Sequence, residues 1–159
     1  HARASGLDID YHVGVAEALP FEGDRFDAVV CVDVLEHVQS PAATVAEIGR
    51  VIKPGGLFCF DTINRTWQSR CLLIWLLEDS LRLIPRGVHD WHKFLPPEVL
   101  QPLLTQAGFV DITLQGFDLL GRHPAAHIAT LLHYWKTGGF RVRFDDDTRV
   151  FYIGTACLA

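Results

Sequence analysis

Apolar residues in this chain fall into two kinds of stretch that alternate from end to end: short runs bounded by turn residues, and longer segments with helical spacing. That alternation predicts an α/β fold in which a largely parallel sheet is covered by helices. Ile9 to Val13 reads as a short strand, and Phe26 to Val32 as a second whose continuous apolar run suits a central position buried on both faces. Ser40 and Pro41 offer an N-cap and a first-turn proline, after which Val45, Ile48, Val51 and Ile52 repeat at helical spacing until Lys53-Pro54-Gly55-Gly56 stops the helix. Leu57 to Thr62 is the next strand. Pro96, Pro97 and Glu98 open another helix through Val99, Leu100, Leu103 and Leu104, which ends where Gly108 can take a left-handed cap. Val110 to Phe117 follows as a strand. Beyond the solvated turn at Asp145, Asp146 and Asp147, Arg149 to Leu158 alternates enough to pair antiparallel with a neighbour. The chain reads as one domain over residues 1–159, with insertions at about 63–95 and 118–146.

One segment departs from this rhythm. From Trp67 to Ile84 the chain is unusually apolar, yet the unbroken run Cys71–Leu77 has only seven residues, too few to span a bilayer. Leu72 to Ile84 suits either an amphipathic lid lying on a membrane surface or a helix covered by protein.

Composition narrows the class further. With 159 residues, 49% hydrophobic and 21% charged, the chain can bury a real core. Its net charge of -5 and the lack of any Lys or Arg run argue against nucleic acid as a partner. Cys31, Cys59, Cys71 and Cys157 have no Cys-x-x-Cys spacing, which predicts a reducing, cytoplasmic setting without disulfides. No basic segment followed by an apolar core marks a signal peptide. The first residue is His1, so the expectation is that the natural start lies upstream.

In an open doubly wound sheet, ligands gather beyond the carboxyl ends of the strands. Four stretches qualify: Ala16 to Phe21, Asp27 to His37, Lys53 to Gly56, and Asn64-Arg65. The order Ala-Glu-x-Leu-Pro-Phe, Phe-Asp-x-Val, Leu-Glu-His and Lys-Pro-Gly-Gly resembles the later motifs of class I methyltransferases that use S-adenosylmethionine. Thr62 to Thr66 and Pro85 to Phe94 resemble one branch, the O-methyltransferases of ubiquinone biosynthesis, and the resemblance runs from about residue 9 to 117. It implies a Rossmann-like seven-stranded sheet, here lacking its first strands, a phenolic or catechol acceptor with a polyprenyl tail, and a role for a divalent ion such as Mg2+. No Gly-x-Gly-x-Gly turn and no acidic ribose-binding residue precede residue 9, and the expectation places those elements upstream, leaving this stretch alone inactive.

The same resemblance assigns residues. Ala16 and Glu17 are expected against the adenine ring, with Glu17 equally readable as a solvated loop acid. Leu19 is expected to cover the adenine, and Cys31 and Val32 to line the sulfonium pocket. Asp33, Glu36 and His37 have i, i+3, i+4 spacing, which on a helical turn directs two carboxylates and an imidazole to one point. Such a set suits Mg or Mn, while the plainer reading is a helix start where the acids favour the dipole. His89 is expected as a further ligand or substrate contact. Asn64 and Arg65 stand where an acceptor is oriented, or merely form a turn. Adjacent His89 and Asp90 seldom face each other, and His12, His123, His127 and His133 read as surface or packed histidines. The expected reaction is attack of a phenolic oxygen on a sulfonium methyl, with either a metal or His37 as direct base activating the hydroxyl. A methyltransferase for a soluble small molecule and a noncatalytic binding module of the same fold are the alternatives.

Overall fold

The order of elements along the chain fixes which strand ends can meet, and a computed structural model describes residues 2–118, 124–139 and 143–159 of it. Helix α1 (Pro41–Val51) carries the chain from β1 (Phe26–Cys31) to β2 (Ile52–Ile63), which pair in parallel. Ser40 Oγ accepts from the Ala43 N–H at 3.3 Å, the cap expected from the sequence. Helices α2 (Trp67–Ser69) and α3 (Pro97–Gln106) lead to β3 (Phe109–Asp118), and α4 (Pro124–Thr137) and β4 (Arg143–Asp145) precede β5 (Phe151–Leu158). The sheet order is β1-β2-β5-β3-β4.

β5 enters between β2 and β3 and runs against both, so β1, β2 and β3 point the same way. Only the β1–β2 pair is parallel among the described residues, fewer than the largely parallel sheet expected, because β5 and β4 both reverse direction. The antiparallel final strand is as expected. Gly154 is where it crosses the Phe60 ring, and a Cβ there would collide with that ring. Lys53 to Gly56 bulge out of the β1–β2 ladder, with Gly55 at φ +77° and Lys53 Nζ held 2.8 Å from Asp27 Oδ1. Val45, Ile48, Leu100 and Leu104 from α1 and α3 pack with Phe58, Phe60, Phe109 and Tyr152 of the sheet, the main core.

Two expectations need correction. Ile9 to Val13 forms no strand, because no neighbouring strand in the described residues offers it a ladder, and its apolar side chains stand exposed. Among the described residues, β1 is an edge strand rather than a central one, paired with β2 on one side only, and Val30 is 68% exposed. The apolar segment after α2 continues as a π-helix over Arg70–Ser80, with Leu73 and Glu78 buried and Trp75 exposed. α4 and β4 occupy much of the expected 118–146 insertion. His123 and the side chain of His127 lie outside the described residues, while His133 sits half-buried on α4.

Candidate functional site

At the carboxyl end of β1, the loop before it and the first turns of α1 enclose a cleft of about 390 Å³ lined by Ala16, Leu19, Cys31, Val32, Val34 and Thr44. Four of the five residues expected to hold a cofactor therefore share one wall. Glu17, the fifth, turns its carboxylate toward α1 instead, accepting from the Gln39 N–H at 2.7 Å and the Ser40 N–H at 3.1 Å. Those backbone donors, Ser40's foremost, hold its pKa below the usual carboxylate range. The loop is fastened to α1 a second time: Glu47 Oε2 accepts from the Leu19 N–H at 3.0 Å, and the Arg50 guanidinium donates to the Phe21 and Leu19 carbonyls.

Burial pushes the Cys31 thiol up to about 12, with the nearby Glu36 and Asp61 charges adding to it, so this sulfur stays protonated. Thr44 was not singled out from the sequence. Its hydroxyl is buried on the cleft wall without a hydrogen-bond partner, and its only signal in the sequence is a polar residue at a helix position flanked by apolar ones.

A polar cluster lies where β1 and β2 end. Asp33 takes φ +53°, and its N–H donates to Asp61 Oδ1 at 2.7 Å. Burial raises the Asp61 pKa, opposed by that donor and reinforced by the charges of Asp33 and Glu36. Glu36 is buried; Thr62 Oγ1 donates to its Oε2 at 2.8 Å, and its Oε1 has no hydrogen-bond partner. His37 Nε2 stands 4.0 Å from that Oε1. The His37 and His89 rings lie 5.6 Å apart, and His89 Nδ1 meets Glu78 Oε1 at 2.6 Å.

The structure therefore brings His37 and His89 together, but it does not converge Asp33, Glu36 and His37 on one point. The left-handed backbone at Asp33 breaks the helical spacing that such a trio requires, and its neighbours form a turn. Among the described residues, no group of three or more His, Cys, Asp and Glu side chains is arranged to hold a metal ion. Asn64 is nearly buried, its side-chain amide donating to the Thr148 carbonyl at 2.9 Å and its own carbonyl accepting from Ser69 Oγ at 2.6 Å, so it ties β2's end to the loop before β5. Arg65 Nη1 donates to the His92 carbonyl at 3.3 Å. His12 is exposed beside Asp10, and Asp90 spends its carboxylate on the His92 N–H rather than on His89.

Comparison with known proteins bears on this arrangement. Residues 1–60 match the model of a methyltransferase domain family. A ubiquinone biosynthesis O-methyltransferase of Ruegeria pomeroyi is 44% identical over 117 residues, 74% of this chain and 47% of that protein. Its counterpart of the same description in Dinoroseobacter shibae is 42% identical over 116 residues, 73% of this chain and 47% of that protein. The chain spans about half the length of the curated relatives it matches. A solved structure described as a methyltransferase dependent on S-adenosylmethionine and possible histamine N-methyltransferase, from Thermotoga maritima, superposes with a TM-score of 0.65 at 20% identity. It covers 99% of this chain and 67% of that one, a likeness of fold.

Proposed function

We propose that this chain, which belongs to the class I S-adenosylmethionine-dependent methyltransferases, supplies the adenine-side and acceptor-side walls of a site that methylates a phenolic oxygen on a long-tailed quinone precursor. The observation that carries the reading is the shared wall of Ala16, Leu19, Cys31 and Val32, together with the His37–His89 pair, whose His37 sits on the loop that continues from Val32 and Val34 of that wall. An apolar cleft with a few backbone and hydroxyl groups suits a purine. The unpartnered Thr44 hydroxyl is a polar group in that wall free to meet one.

S-adenosylmethionine supplies an electrophilic methyl group. Around it, the protein's task is to hold the acceptor oxygen at attack distance and to take its proton. His89 and His37, whose rings lie 5.6 Å apart, are the groups we assign to accept that proton, while Asn64 fixes the backbone on which β2 ends. Keeping the Cys31 sulfur protonated removes a competing nucleophile from the cleft, since a thiolate there would itself be methylated. The branch named by the relatives motivates the phenolic acceptor. The exposed Trp75, Leu76, Leu81 and Leu83 on and after the π-helix offer an apolar surface for a membrane interface and a greasy tail. No helix of the described residues is long and apolar enough to cross a membrane.

The test uses the full-length protein. Calorimetry with S-adenosylmethionine is expected to give saturable binding, and incubation with catechols is expected to yield the O-methyl product, faster for tailed than for clipped acceptors. Absence of cofactor binding points instead to a noncatalytic module, and equal rates on tail-free catechols to a soluble substrate. Sedimentation with anionic vesicles reads the membrane contact, which Trp75→Ala is expected to weaken.

A further inference from the structure

We infer that Glu78, inside the apolar π-helix, is a positioning residue that fixes the tautomer of His89 so that Nε2 presents its lone pair to the acceptor hydroxyl. This rests on the O-methyl transfer reading above. A carboxylate is costly to bury unless its oxygens are satisfied, and Glu78 is 2% exposed in a segment otherwise rich in Leu and Trp. All three of its hydrogen bonds come from one short loop: the Gly87 N–H at 2.9 Å to Oε2, the His89 N–H at 3.0 Å and the His89 ring at 2.6 Å, both to Oε1. The two backbone bonds would suffice to staple the loop. The third does something further.

An ionised carboxylate only accepts, so the ring nitrogen facing it, Nδ1, must carry hydrogen. In the neutral imidazole that leaves Nε2 as the acceptor. The ring is held from two more sides, by Phe94 edge-on at 6.0 Å and by His37 at 5.6 Å, so its direction as well as its tautomer is set. In the transfer step the acceptor O–H bond breaks and its proton goes to Nε2. The freed oxygen pair forms the O–CH3 bond, the C–S bond breaks, and its electrons stay on sulfur in the thioether product. Glu78 thus links the π-helix to the chemistry: the helix that carries this carboxylate also sets the base.

Glu78→Gln puts an amide where the carboxylate was. Its N–H2 can donate to Nδ1 and favour the opposite tautomer. In the full-length protein, nitrogen NMR of the neutral His89 ring is expected to read Nδ1–H in the wild type and a shift toward Nε2–H in Glu78→Gln. With a catechol acceptor, kcat is expected to fall about 100-fold while KM changes little. Asp90→Ala loosens the same loop by removing its cap on His92 without touching the imidazole, and is expected to keep kcat within about threefold of wild type. A wild-type ring carrying hydrogen on Nε2 overturns the inference whatever the acceptor. Equal losses of kcat in Glu78→Gln and Asp90→Ala also overturn it, reducing Glu78 to a loop staple. Should the protein methylate no hydroxyl while the tautomer shift is still seen, the reaction assigned above fails and the Glu78–His89 geometry stands.

Discussion

Thr62→Val removes the hydroxyl that donates to Glu36 Oε2 at 2.8 Å, in a buried setting, and leaves the side-chain shape nearly unchanged. A hydrogen bond to a charged group contributes about 1.5–3 kcal/mol. Here the upper part of that range applies, because the bond is buried and Glu36 Oε1 already lacks a partner. The discriminating comparison is the same substitution made in a Glu36→Leu background. Glu36→Leu alone is expected to be close to neutral, since it exchanges a half-satisfied buried carboxylate for an apolar group of similar volume. In that background Thr62→Val should cost no more than about 1 kcal/mol, leaving a coupling of roughly 1–2 kcal/mol between the two sites. Urea denaturation of the full-length protein, followed by fluorescence and with unchanged slopes, measures all four corners of the cycle. Penalties for Thr62→Val that agree within about 0.5 kcal/mol in the two backgrounds would refute the claim that the two side chains are coupled through this bond.

Other substitutions test other parts of the site. Glu17 has its folded pKa depressed by backbone amides, that of Ser40 first, so its charge stabilises the fold above the ordinary carboxylate range, and that contribution is lost as pH falls through the lowered value. Glu17→Gln is expected to lower the melting temperature at neutral pH, with the gap closing in acid; a gap that widens on acidification counts against the assignment. Cys31, held near 12, is expected to resist iodoacetamide at pH 8 in the native protein and to react once denatured, and native labelling followed by peptide mapping decides it. Tyr152→Phe deletes the buried hydroxyl that donates to the Leu95 carbonyl at 2.9 Å, for an expected cost of about 1–3 kcal/mol in denaturant midpoint analysis.

Much of the sheet was legible because local signals and tertiary context agree there. Ser40 and Pro41 start α1, Gly108 at φ +90° follows α3, and the alternation from Phe151 to Leu158 is the antiparallel strand it suggests. The apolar wall of the cleft could be read from motif order, since Ala16, Leu19, Cys31 and Val32 lie just beyond strand ends or within the loop before one. Failures arose where a residue's role depends on partners far along the chain. Ile9 to Val13 has a strand's alternation but no ladder to join. Asp33, Glu36 and His37 have helical spacing on a backbone that Asp33 turns left-handed, a conformation no spacing rule reveals. Glu78 looks like a polar break in an apolar run, and only the fold shows that a loop nine to eleven residues later returns to satisfy it.

Two histidines from different parts of the chain meet at the site under unequal restraint, and that inequality is what separates their roles. His89 is gripped: a buried carboxylate fixes one ring nitrogen, and its side chain is only 12% exposed. His37 is not, for its Nε2 stops 4.0 Å short of Glu36 Oε1, beyond hydrogen-bond reach, and its side chain is 41% exposed. A group that must meet a substrate proton in one geometry gains from being locked in advance, since freedom already removed need not be removed again in the transition state. A group that follows an arriving acceptor, or passes its proton on to solvent, gains from room to turn. The buried, unpartnered oxygen of Glu36 fits the second task, waiting within a small movement of the His37 ring. Under the proposed transfer, the pair would act as a fixed acceptor of the proton and a movable second imidazole beside it, each near a buried carboxylate, Glu78 for His89 and Glu36 for His37.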